Sequence, residues 1–185
     1  MTVLTAANQL TLLRLLLVPV FALCMFYRMP GWALVTFLVA GLTDAFDGLI
    51  ARRSGQQTTL GAWLDPMADK LLVTTMFVML TVPGLGLTAR LPLWLTVLVI
   101  SRDLGIILTV AIVNLAVTRK TFRPTVLGKA ATVVYIVTGV VALYANWAGG
   151  HLGLVNACVY VAGVVTLLSA IEYLIRITRG LASDR

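Results

Sequence analysis

Six apolar runs dominate this chain, and each is about as long as a bilayer is thick. They cover Leu10–Tyr27, Trp32–Ala51, Leu60–Val82, Leu93–Val117, Val126–Trp147 and Leu154–Ile177, and a spanning helix uses roughly 20 residues. Residues with turn chemistry divide them: Met29-Pro30-Gly31, Ser54-Gly55-Gln56-Gln57-Thr58-Thr59, Pro83-Gly84-Leu85-Gly86 and Ala148-Gly149-Gly150. Only 11% of the 185 residues are charged and 60% are hydrophobic, whereas a water-soluble domain carries about 25% charged residues. This excludes a soluble enzyme, a disordered tail and a disulfide scaffold. It predicts an all-α polytopic membrane protein, six transmembrane helices in one domain over residues 1–185, without internal repeats.

Charge asymmetry sets the expected orientation. Arg52 and Arg53 follow the second run, Arg119, Lys120 and Arg123 follow the fourth, and Arg176, Arg179 and Arg185 lie in the tail. The opposite loops offer Arg28 and Arg90. Both termini are therefore expected in the cytoplasm, with basic loops that also attract anionic lipid heads. No soluble basic module exists to dock a nucleic acid, so none is expected as partner. Cys24 and Cys158 fall inside apolar runs and read as small packing residues rather than a redox or zinc motif. Met1–Asn8 has no Lys or Arg, so the first run reads as a retained helix, not a signal peptide. The short N-terminus favours a bacterial inner membrane over a mitochondrial one.

The acidic residues carry the chemistry. Asp44, Asp47, Asp65 and Asp69 cluster at the ends of two apolar runs, where each costs about 2.5–3.5 kcal/mol on insertion scales. Asp44 and Asp47 are i,i+3, and Asp65 and Asp69 are i,i+4, so each pair shares a helix face. A short connection makes the two helices antiparallel neighbours whose pairs meet near the cytoplasmic surface. Four facing carboxylates form a hard oxygen site suited to Mg²⁺ or Mn²⁺ rather than zinc, with room for two ions about 4 Å apart. Gly48, Ala51 and Gly61 are small enough to let a ligand approach the backbone, and Arg52 supplies a cation for a phosphate oxygen. The same small residues could equally serve a close helix crossing.

Asp44-x-x-Asp47-Gly48-x-x-Ala51-Arg52, eight residues, then Gly61-x-x-x-Asp65-x-x-x-Asp69 resembles the signature of the CDP-alcohol phosphatidyltransferases at all eight specified positions. Asn8-x-Leu10-Thr11-x-x-Arg14 with Pro19, and Asp65-Pro66-x-Ala68-Asp69-Lys70, extend the resemblance over most of the chain. It implies six membrane helices, a homodimer, and transfer of a phosphatidyl group from CDP-diacylglycerol to an alcohol with release of CMP. It implies that Asp44, Asp47, Asp65 and Asp69 hold the metal and that Gly48, Ala51, Arg52 and Gly61 cradle the CDP moiety. Asp69 it casts as general base, in a site facing the cytoplasm. Lys70 could orient Asp69 or merely snorkel. No Ser or Cys stands in the motif to act as nucleophile, so direct displacement is expected. His151, the one histidine, reads as a solvated loop residue.

Arg102, Arg123 and Lys129, with Arg119 and Lys120 nearby, suggest an anionic acceptor, although Arg102 and Asp103 could instead form a structural pair. Ala40-Gly41-Leu42-Thr43-Asp44, Ser101-Arg102-Asp103 and Arg123-Pro124-Thr125 resemble the cardiolipin synthases of eukaryotic type, whose acceptor is phosphatidylglycerol. Gly128-Lys129 and Ser169-Ala170-Ile171-Glu172-Tyr173 lean toward phosphatidylglycerophosphate synthases, which use glycerol 3-phosphate and stand as the alternative to the expected cardiolipin synthase. Two other classes compete. A cation or proton transporter would need polar groups along a whole path, and the non-cytoplasmic half is almost purely apolar. A structural bundle would leave four converging carboxylates unexplained.

Overall fold

A computed structural model describes residues 6–54, 59–116 and 125–182, with side chains at 11–43, 67–109 and 125–176. These residues form six α-helices and no strand: α1 Ala6–Phe26, α2 Pro30–Ser54, α3 Thr59–Thr81, α4 Leu93–Ala116, α5 Val126–Ala148 and α6 Leu152–Ala182. The six apolar runs thus each become one helix. α5 and the Leu152–Arg176 stretch of α6 are long and apolar enough to cross a membrane; Thr11–Phe26 and Pro30–Thr43 are shorter apolar stretches.

The first break differs from its sequence reading. Pro30 and Gly31 belong to α2, because proline's fixed φ and missing N–H suit the first helical position. The turn is instead built on Arg28, with φ 58°. The Arg28 amide donates to the Met25 carbonyl at 3.1 Å and the Met29 amide to that of Cys24 at 2.9 Å. That pattern closes a helix end around a left-handed residue, a position glycine usually takes. The fifth break follows expectation: Gly149, φ 74°, ends α5 with its amide on the Ala145 carbonyl.

The helices group into two compact units, residues 1–90 with 139–151, and residues 91–138 with 152–185. In the first, α1 packs against both α2 and α3. The buried stripe of α1 is Thr11, Arg14, Phe21 and Met25, and Phe21 meets Phe37 of α2 at 6.0 Å between ring centroids. Asn146 pins the loop before α4: its Oδ1 accepts from the amides of Thr88 and Ala89, and its Nδ2 donates to the carbonyls of Ala89 and Ala142. A Cβ on Gly139 would fall on the thioether of the fully buried Met76. Gly139→Val is expected to lower the thermal unfolding temperature in detergent, costing about 1–3 kcal/mol by overpacking. Gly41→Ala, which meets nothing within 4 Å, should change it little.

In the second unit α4 packs on α6. The Tyr135 hydroxyl of α5 bonds Thr166 of α6 at 2.7 Å, with both residues buried. Gly163 admits the Trp94 ring, whose Cζ3 and Cη2 would stand 2.9 Å from a Cβ there, a small-residue contact typical of membrane helices. Threonine is tolerated because its hydroxyl donates to the carbonyl one turn earlier, as at Thr36, Thr81, Thr109, Thr138 and Thr166. Large apolar side chains point outward along the helices, among them Leu16, Leu93, Val126, Val164 and Leu174. A surface this apolar marks association with a membrane or with another protein surface. Tyr27, Trp32 and Trp147 are exposed at helix ends, where amphipathic rings sit at headgroup level. Both cysteines are half-buried and free.

Candidate active site

Asp44, Asp47, Gly48, Ala51 and Arg52 lie on α2, and Gly61, Asp65 and Asp69 on α3. Of these eight the structure describes the side chain of Asp69; the other seven are placed as helical positions. At about 100° per residue, positions 44, 47 and 51 continue the stripe that Ala33, Phe37 and Ala40 bury on α2. Positions 61 and 65 likewise continue the stripe of Ala68, Leu72, Met76 and Met79 on α3. Asp69 falls at the edge of that stripe, just past the direction of buried Met76, and its side chain keeps 45% of its accessible surface.

What the sequence reading left without a role is the partner of Asp69. Arg14, on the inner stripe of α1, is fully buried, and its Nη1 donates to Asp69 Oδ1 at 2.5 Å. The packing of α1 on α3 makes this contact across 55 positions of chain. A charged donor strengthens such a bond, and a guanidinium locked in the core fixes the carboxylate in space. The signal was present in the sequence, since an arginine inside an apolar run needs a named partner. Lys70 is half-buried beside it.

The remaining assigned residues belong to the second unit. Arg102 is 9% exposed, and its Nη1 donates to Asp103 Oδ1 at 2.7 Å. Its Nη2 donates to Ser169 Oγ on α6. The expected Arg102–Asp103 pair is therefore present, with a third member the sequence did not indicate. Lys129 is exposed in the first turn of α5. Thr125 caps that turn, its Oγ1 accepting from the Gly128 amide at 2.9 Å. Arg123, with Arg119 and Lys120, lies outside the described residues. His151 is an exposed loop residue with φ 61°.

Residues 4–170 match the family model for CDP-alcohol phosphatidyltransferases. Over 189 aligned positions the chain is 37% identical to a Mycobacterium tuberculosis protein named "Probable phosphatidylglycerophosphate synthase", covering 97% of this chain and 84% of that protein. A "Cardiolipin synthase (CMP-forming)" of Streptomyces coelicolor is 36% identical over 139, covering 70% and 60%. The Escherichia coli "CDP-diacylglycerol--glycerol-3-phosphate 3-phosphatidyltransferase" is 49% identical over 76, covering 39% and 41%. With a complete aspartate signature on two helices and a family match over most of its length, this chain belongs to the CDP-alcohol phosphatidyltransferase family and is an enzyme of that class.

Proposed function

We propose that the whole chain, residues 1–185, works as one phosphatidyltransferase domain that moves a phosphatidyl group from CDP-diacylglycerol to a phosphorylated glycerol. The observation that carries this reading is Asp69: a carboxylate held by a buried arginine yet still reachable from outside. The i,i+3 spacing of positions 44 and 47 and the i,i+4 spacing of 65 and 69 support convergence of all four aspartates. Hard oxygen donors in that number suit two Mg²⁺ or Mn²⁺ ions. When bound, the ions neutralise the pyrophosphate and the charge that develops on departing CMP.

The chain's own residues do the rest. Gly48, Ala51 and Gly61 admit the CDP moiety, and Arg52 pairs with a phosphate oxygen. Asp69 takes the proton of the acceptor hydroxyl as its oxygen attacks the phosphatidyl phosphorus. One P–O bond forms, the P–O bond to CMP breaks, and no covalent enzyme intermediate is needed. Arg102, Arg123 and Lys129 hold the anionic acceptor.

Two acceptors share this chemistry. Phosphatidylglycerol, giving cardiolipin, is favoured by the Ser101-Arg102-Asp103 and Arg123-Pro124-Thr125 elements. Glycerol 3-phosphate is favoured by the mycobacterial relative that matches 97% of the chain. All six helices cross a bacterial inner membrane as a homodimer, with termini and active site in the cytoplasm, as the basic loops support. The test is the purified chain in detergent with CDP-diacylglycerol, Mg²⁺ and each acceptor, products read by mass spectrometry. CMP with cardiolipin or phosphatidylglycerophosphate is expected, and should vanish with EDTA and return with Mg²⁺. CMP release undiminished by EDTA, or no lipid product with either acceptor, would overturn the reading.

A further inference from the structure

Within the first unit, a cavity of about 210 Å³ opens where α1 ends. From Arg14 to Phe26, at 1.5 Å per residue, α1 rises about 18 Å, so the cavity is no part of the Arg14–Asp69 site. Met25, Leu85 and Leu87, all buried, give it an apolar lining. Arg28 and Gly86 line it as well. Gly86 holds φ 70°, and a Cβ there would touch Arg28 Nε at 3.4 Å, so the guanidinium lies against this glycine. Asn146 also lines the cavity. Its four hydrogen-bonding positions are already spent on Thr88, Ala89 and Ala142.

That leaves Arg28 as the group in the lining with bonding capacity to offer. Its Nη2 donates to the Gly84 carbonyl at 3.4 Å, long beside the usual value of about 2.9–3.0 Å. A guanidinium carries five N–H donors. Residues 17–43, 71–90 and 139–151 of this unit contain no Asp or Glu, so none of these segments supplies a carboxylate to neutralise it. Arg28 also stands at φ 58°, a conformation costly to any residue with a Cβ. A cation kept at such a position, on the rim of a cavity, points to a ligand.

We propose that this cavity binds the phosphate of an anionic phospholipid, with Arg28 on the phosphate oxygens and Met25, Leu85 and Leu87 against the adjoining carbons. It rests on the reading that the helices cross a bilayer. The planar fork of a guanidinium matches two phosphate oxygens. The volume falls below the about 300–1,000 Å³ of pockets for drug-sized ligands, which suits a headgroup and excludes a nucleotide. The apolar lining favours a phosphate that carries carbon over a free ion. Tyr27, Trp32 and Trp147 are exposed around the same helix ends, the depth at which headgroups lie. A phosphate held by Arg28 joins the α1–α2 turn to the loop before α4, in the leaflet away from Asp69.

The test titrates the full chain in non-ionic detergent with phosphatidylmethanol, an anionic phosphodiester lipid without an acceptor hydroxyl. Mg²⁺ is left out, so that the aspartates do not take the same phosphate. Native mass spectrometry reads binding, and inorganic phosphate forms a parallel arm. Arg28→Gln is expected to weaken lipid binding about 10-fold, the scale of one hydrogen bond to a charged group, and Arg28→Lys to weaken it less. Arg28→Gly should weaken it as Arg28→Gln does, yet unfold no lower than wild type without lipid, because glycine suits φ 58°. Phosphatidylmethanol should raise the unfolding temperature of wild type more than that of either neutral variant. CMP release in detergent should be unchanged by all three substitutions. Equal lipid binding by wild type, Arg28→Gln and Arg28→Gly would overturn the proposal. An Arg28 dependence seen with inorganic phosphate and not with the lipid would overturn the lipid as ligand. Loss of CMP release by wild type would overturn the enzymatic reading and leave the binding result standing.

Discussion

Asp69→Asn is expected to reduce CMP release by at least about 10³-fold while leaving the protein folded. General-base assistance alone contributes about 10²–10⁴-fold, and a neutral amide also removes one negative charge from the metal site. The fold should survive because the amide oxygen can still accept from Arg14 Nη1, at the position Asp69 Oδ1 now holds. Asp69→Ala is a different experiment. It takes a charged partner from a fully buried guanidinium, and breaking a buried pair in this way costs up to about 3–5 kcal/mol. CMP release and thermal unfolding measured on both variants separate the two roles. Near-native turnover by Asp69→Asn would remove Asp69 from the chemistry and leave it a structural anchor.

Arg14 gives the reciprocal result. Its carboxylate partner keeps 45% of its surface, so water can solvate Asp69 when the guanidinium is gone. Arg14→Met, close in volume and suited to an apolar stripe, should therefore unfold at a temperature much nearer wild type than Asp69→Ala does. Its kcat should nevertheless fall by about 10²-fold, the scale of a 1 Å misplacement of a reacting group. Arg14→Lys keeps the charge but loses the planar fork that fixes geometry, and should recover only part of that rate. Full activity in Arg14→Met would mean that Asp69 is positioned without α1.

The aspartate signature needed no coordinates to be found. Asp44, Asp47, Asp65 and Asp69 stand at helical spacings inside runs where carboxylates are costly. Expected and observed helices agree because apolar length is a local property of the chain. They part at Pro30, where ring geometry that breaks a helix interior also begins one, and at α6, which runs on to Ala182 past the end of its apolar run. Arg28 in a left-handed turn carried no signal, since the hydrogen bonds that hold it there are made after α1 is in place.

By itself the sequence determined the six helices, their apolar faces and the family, all of which follow from residue type at short spacing. Tertiary structure alone decided which polar groups distant in the chain meet. Arg14 finds Asp69 across 55 residues and Arg102 finds Ser169 across 67. An apolar run states that a buried charge needs a partner, but the partner is chosen by which helix packs against it. Packing depends on side-chain shape along whole helix faces, which no local spacing records.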